Sequence, residues 1–193
     1  MINYIKKTYK GNKSSFFKVI ENNLLNNNKM FIVTANPETF MKADAISEFD
    51  KALINPKTTI VPDGIGVVKA ANYIGISEIK ERITGVDISY KLLELANKHK
   101  KTVYLFGASK KVIELTVKSI NKEYPDVKIL GYSDGYIENK DDLFEEIKNL
   151  SPDIVLVALG VPKQELLIYK HYDEFLKGIF VGVGGTFDVI SGT

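Results

Sequence analysis

Six short, almost unbroken apolar runs punctuate the chain at intervals filled by helix-like segments, and this alternation leaves few folds open. They are Met30-Phe31-Ile32-Val33, Thr59-Ile60-Val61, Thr102 to Phe106, Val127 to Leu130, Ile154 to Leu159 and Ile179 to Val183. A strand half-exposed to water alternates polar and apolar residues, whereas a strand buried on both faces is apolar throughout. Runs of the second kind, separated by helices, imply right-handed crossovers and an α/β fold: a mostly parallel six-stranded sheet with helices on both faces. At 193 residues the chain is the size of a single domain, and neither a linker nor a low-complexity tract interrupts it.

Turn and cap residues mark the helices between the runs. Phe16, Phe17, Ile20, Leu24 and Leu25 recur at helical spacing, with Ser14 or Ser15 placed as the cap. After the first run, Asn36 reads as an N-cap and Pro37 as the first helical residue. The later helices are expected from about Ile65 to Ile74, through His99, up to Tyr124, from Asp141 to Leu150, and on to His171.

Composition excludes several chemistries. There is no Cys, so disulfides, thiolate metal sites and thiol nucleophiles are ruled out. The 26 basic and 24 acidic residues are mixed along the chain for a net charge of +2, which gives no field for nucleic acid. No run approaches the ~20 apolar residues of a membrane span, so a cytoplasmic location is expected. His99 and His171 stand beside charged neighbours and read as surface residues, and no Asp-x-Asp pair is present to hold a metal on a sugar nucleotide.

In an open parallel sheet the ligand crevice lies beyond the carboxyl ends of the strands. The unusual residues of this chain fall there. Thr34 and Asn36 follow the first strand, Asp63 and Gly64 the second, Gly107 and Ser109 the third, Tyr132 and Tyr136 the fourth. Gly160, Pro162, Lys163 and Gln164 follow the fifth, and Gly184, Gly185, Thr186 and Asp188 the sixth. Such a rim suits a nucleoside diphosphate: glycine turns lay backbone N–H groups on phosphate oxygens, and Tyr132 or Tyr136 could stack on a base. Asp63, delivered by a strand that stops at Pro62, is either the base of an enzyme or the cap of the helix that follows. Neither the G-x-G-x-x-G fingerprint nor a P-loop occurs, which disfavours an NAD-linked oxidoreductase and an ATPase. A nucleotide-sugar binding module without catalysis remains as the alternative to an enzyme.

The blocks Thr34-Ala35-Asn36-Pro37-Glu38, Pro62-Asp63-Gly64-Ile65-Gly66, Arg82-Ile83-Thr84-Gly85-Val86-Asp87, Leu159-Gly160-Val161-Pro162-Lys163-Gln164-Glu165 and Val183-Gly184-Gly185-Thr186-Phe187-Asp188 together resemble the WecG/TagA/CpsF glycosyltransferases. The resemblance implies inverting transfer of an N-acetylhexosamine from a UDP donor to a polyprenyl-diphosphate-linked sugar. In the TagA branch it implies N-acetylmannosamine and the linkage unit of wall teichoic acid. Asp63 matches the family's proposed base, and Thr34, Asn36, Arg82 and Gln164 match pocket residues. With UDP-sugar as a substrate, no cofactor and no metal are expected. The resemblance further implies a basic, aromatic segment beyond the Phe187-Asp188 block that meets the cytoplasmic face of the membrane. This chain stops at Thr193, so it is expected to bind UDP but turn over poorly. A homo-oligomer is compatible with the sequence.

Overall fold

Each apolar run pairs with its neighbours in parallel, because the helix between two runs returns the chain to the same end of the sheet before the next strand begins. In the computed structural model, which describes residues 1–193, the elements are α1 (Ile2–Lys7), α2 (Lys13–Leu25), β1 (Lys29–Ala35), α3 (Pro37–Ala45), α4 (Ser47–Ile54), β2 (Thr58–Pro62), α5 (Ile65–Tyr73) and α6 (Gly85–His99). They continue with β3 (Thr102–Gly107), α7 (Lys110–Glu123), β4 (Lys128–Ser133), α8 (Lys140–Leu150), β5 (Ile154–Ala158), α9 (Lys163–His171), a 3-10 turn at Tyr172–Glu174, β6 (Gly178–Gly182) and α10 (Thr186–Ser191). The strand order is β2-β1-β6-β5-β3-β4, and every ladder is parallel. This is the single α/β domain expected.

Alternate residues of each strand feed two separate cores. Phe31, Val33 and Ala35 of β1 join the core under α1, α3, α4, α5, α8 and α9, while Met30 and Ile32 join the core under α2, α6, α7 and α10. Strands buried on both faces explain why the sequence shows no polar alternation. The exception is β4, an edge strand whose residues are all exposed or half-buried.

Two local expectations are corrected. The fourth strand runs on to Ser133 instead of ending at Leu130, with Leu105 opposite Tyr132 and Phe106 opposite Ser133. Gly131 thus lies inside the strand, where a Cβ would meet Cε2 of Tyr104 at 2.6 Å, so the glycine makes room for that ring. Helix α2 is capped by Asn12, whose side chain accepts from the Ser15 N–H while Ser15 returns the bond to the Asn12 N–H, so Ser15 is the reciprocal partner within the helix.

The order of strands decides where crevices open. The chain leaves β3 for α7 on one face and leaves β5 for α9 on the other, so the carboxyl ends of these adjacent strands diverge. The same holds for β1, which leads to α3, and β6, which leads to α10 on the opposite face. Diverging connections leave a gap at each pair. No helix is long and apolar enough to cross a membrane.

Candidate active site

The gap between β1 and β6 is a cavity of about 440 Å³ that Asp63 enters from the side of β2. Two backbone bonds hold Asp63 in place: its own N–H donates to the Ala35 carbonyl at 2.8 Å, and the Ile83 N–H donates to the Pro62 carbonyl at 2.8 Å. Gly64 turns the chain away with φ +152°, a conformation that favours glycine. The Asp63 carboxylate therefore faces the cavity instead of capping α5, whose N-terminus receives no side-chain bond from it.

The second bond also delivers Arg82, which precedes Ile83. Its Nε donates to Asp63 Oδ1 at 3.4 Å. Burial pushes the Asp63 carboxyl above its ordinary value, and the Arg82 charge and hydrogen bond pull against that rise without cancelling it. A carboxyl shifted in this direction is better matched to accepting a proton near neutral pH.

Asn36 and Thr34 reach the same cavity from β1. Asn36 caps α3: its Oδ1 accepts from the Thr39 N–H at 2.9 Å and the Thr39 hydroxyl at 3.1 Å. The oxygen is thus engaged in the fold, and Nδ2 is the end left for a ligand. Thr34 is nearly buried and its hydroxyl makes only a long contact, 3.4 Å, to the Gly182 carbonyl. On the far wall, Gln164, Gly184, Gly185 and Thr186 line the cavity. Thr186 donates its hydroxyl to the Val183 carbonyl at 2.6 Å and so is tied to its own turn. Thr84, Gly85 and Val86 line it as well, although the sequence singled out only Arg82 in that block. The signal was present: Thr84 and Asp87 form a capping box that sets the start of α6 against the cavity.

The gap between β3 and β5 is a wider groove of about 1210 Å³. Ser109 at the start of α7, Tyr136, Lys163 and Asp188 line it, with Leu159, Leu166 and Leu167 as apolar wall. Tyr136 is 81% exposed and free to meet a ligand. The rim expected as one cleft is therefore two adjoining cavities that share their walls. In the first turn of α9, Lys163 faces the groove and Gln164 the smaller cavity; in α10, Asp188 faces the groove and Val189 the smaller cavity.

Five expected site residues line neither cavity: Gly64, whose turn is described above, Tyr132, Gly107, Gly160 and Pro162. Tyr132 sits within edge strand β4, not in the loop after it. Gly107 has φ +126°, and a Cβ there would collide with the Ala158 carbonyl, so this glycine permits the close approach of β3 and β5. Gly160 donates its N–H to Gln164 Oε1 at 3.1 Å, and Pro162 is the N-cap of α9. His171, expected at the surface, is only 6% exposed: its ring stacks on Phe144 and its two nitrogens face Asp141 and Glu174. No three of His, Asp and Glu come together as a metal cluster.

Against this geometry stand the comparisons with known proteins. The family described as "Glycosyl transferase WecG/TagA/CpsF family" matches residues 7–193. A Bacillus spizizenii protein named N-acetylglucosaminyldiphosphoundecaprenol N-acetyl-beta-D-mannosaminyltransferase is 41% identical over 180 residues, covering 93% of this chain and 69% of the relative. Its namesake in Bacillus subtilis is 38% identical over 182 residues, covering 94% of this chain and 70% of the relative. A Staphylococcus aureus protein of the same name is 35% identical over 166 residues, covering 86% of this chain and 64% of the relative.

Proposed function

The chain belongs to the WecG/TagA/CpsF glycosyltransferase family, and from that premise we propose that it moves N-acetylmannosamine, or a closely related sugar, from a UDP donor to N-acetylglucosamine carried on undecaprenyl diphosphate. The product is the linkage unit of wall teichoic acid or a related surface polysaccharide. Relatives 35 to 41% identical over 166 to 182 aligned residues carry a name stating that acceptor and that sugar. The observation that carries the chemistry is Asp63, a partly buried carboxylate with a raised pKa that faces a cavity beside an arginine.

In this reading the acceptor hydroxyl, the transferred sugar and the diphosphate beside Arg82 occupy the smaller cavity, and the uridine lies in the adjoining groove near Tyr136 and Lys163. Asp63 takes the proton of the acceptor hydroxyl as that oxygen bonds to the anomeric carbon from the face opposite the diphosphate. The bond from the anomeric carbon to the diphosphate oxygen breaks, UDP carries off the electron pair, and configuration inverts. Arg82 meets the charge that develops on the departing diphosphate, where a preorganised cation lowers the barrier most. Transfer needs no metal in this account and is expected to survive EDTA. The enzyme works at the cytoplasmic face of the membrane, where a peripheral protein can meet a lipid-linked sugar.

The test is UDP release across a panel of UDP-hexosamines with lipid-linked N-acetylglucosamine as acceptor. The reading expects acceptor-dependent release, fastest with UDP-N-acetylmannosamine. Tight UDP binding with no transfer from any donor would overturn it in favour of a binding module.

A further inference from the structure

The first turn of α9 buries two polar side chains in succession, Gln164 at 1% exposure and Glu165 at 0%. Gln164 Oε1 accepts from three backbone N–H groups: Leu159 at 3.3 Å and Gly160 at 3.1 Å beyond β5, and Gly184 at 3.1 Å beyond β6. One amide oxygen thereby ties together two strand ends. Gln164 Nε2 donates one hydrogen to Glu165 Oε1 at 2.7 Å. The pair lies flat on β6, where a Cβ at Gly182 would meet Nε2 at 2.7 Å and Oε1 at 2.8 Å. Glu165 Oε2 is sealed from solvent with no hydrogen-bond partner. A buried carboxylate is costly unless it is paired and hydrogen-bonded, and only one oxygen of this one is hydrogen-bonded.

We propose that Glu165 is a positioning residue for transfer, which fixes the Gln164 carboxamide so that its second Nε2 hydrogen is offered to the cavity lined by Asp63 and Thr34. This rests on the function proposed above. Were the carboxamide to flip, its NH₂ group would face three N–H donors and its oxygen would face the Glu165 carboxylate, so the three donors fix the oxygen end and acceptance by Glu165 fixes the nitrogen end. With Oε1 saturated, Gln164 presents a donor and nothing else. It therefore selects an oxygen acceptor on the bound sugar, a hydroxyl or the carbonyl of an N-acetyl group. Lys42 of α3 is the charged group that acts on Glu165, and burial outweighs it, pushing the carboxyl up to about 7. The strength with which Glu165 holds the amide then changes around neutral pH.

Two variants of the full chain test this, Glu165→Gln, which keeps an acceptor oxygen, and Glu165→Met, which removes it. The first readout needs no turnover: the ¹⁵N signal of the Gln164 side-chain amide followed against pH. It should titrate with a midpoint near the value of about 7 set by burial in the native protein, stay flat in Glu165→Gln, and move to a different position in Glu165→Met. The second readout is kinetic. Glu165→Gln should retain most of the transfer rate, while Glu165→Met should lose on the order of tenfold in kcat/KM for the acceptor with UDP affinity kept, the loss expected for one misdirected hydrogen bond. A Gln164 signal that ignores pH and is unmoved in Glu165→Met would overturn the inference, as would wild-type kcat/KM in that variant. If Glu165→Met does not fold, the native protein and Glu165→Gln decide it through the pH response alone. Absence of transfer by the native protein with every donor would instead count against the proposed function, and the amide signal would still decide the role of Glu165.

Discussion

Asp63 and Arg82 meet through a single contact, Nε to Oδ1 at 3.4 Å, with the arginine side chain 58% exposed and the aspartate 25% exposed. So long a bond between unequally exposed partners adds little to stability. Its consequence is geometric: the guanidinium is turned toward the carboxylate at one edge, and its two terminal nitrogens are left for an anion.

Replacing that fork tests its use. Arg82→Lys keeps the positive charge and discards the planar array of donors, so the two residues are not interchangeable at a diphosphate. If Arg82 meets the leaving group, kcat should fall by roughly 10- to 10³-fold with the acceptor KM little changed. Steady-state UDP release checks this, and an unchanged kcat in Arg82→Lys would remove the residue from the chemistry.

Glu165 gives the fold a pH dependence of its own. Its carboxyl rises from the ordinary 4.5 to about 7 because burial penalises the charge. The native state therefore holds this proton more tightly than the unfolded chain does. The cost of burying the group is absent below about pH 4.5, grows as pH rises to about 7, and is constant above that. At 1.36 kcal/mol per pKa unit the full cost is roughly 3 kcal/mol. Denaturant titrations of the native protein and Glu165→Gln should show the variant gaining on the native protein between pH 5 and pH 8, by up to about that amount.

Two glycines near the carboxyl ends of neighbouring strands should respond differently to alanine. At Gly107 a methyl group strikes the Ala158 backbone and φ is +126°, so Gly107→Ala should cost about 3 kcal/mol or more. At Gly160, with φ +76°, nothing lies within 4 Å of an added Cβ, and the cost should be about 1 kcal/mol. Urea unfolding of both variants measures the difference, and equal costs would mean that the β3–β5 approach is looser than described.

Much of this was legible in the sequence because its causes are local. An apolar run buried on both faces, a Pro that ends a strand and an Asn-Pro pair that starts a helix each act within a few residues, and they placed Asp63, Asn36 and Thr34 on one rim. What stayed hidden depends on partners far along the chain. That β5 and β6 insert between β1 and β3 is a matter of strand order, and this is what divides the rim into two cavities. Gly131 carried the mark of a turn, yet its purpose is the ring of Tyr104, 27 residues earlier by their numbering. Glu165 reads as an acid favoured in a first helical turn, and only the packing of α9 on β6 shows it buried. His171 likewise passed for a surface residue until Phe144, Asp141 and Glu174 closed around it.

The central claim is that Asp63 removes the acceptor proton, and Asp63→Asn tests it most directly because the amide keeps the shape and loses the basicity. With UDP-N-acetylmannosamine and lipid-linked N-acetylglucosamine, kcat should drop by roughly 10²- to 10⁴-fold while UDP affinity stays near that of the native protein. The native kcat/KM should also fall as pH is lowered through the raised pKa of Asp63, a limb that the variant lacks. Transfer by Asp63→Asn at the native rate would contradict the account.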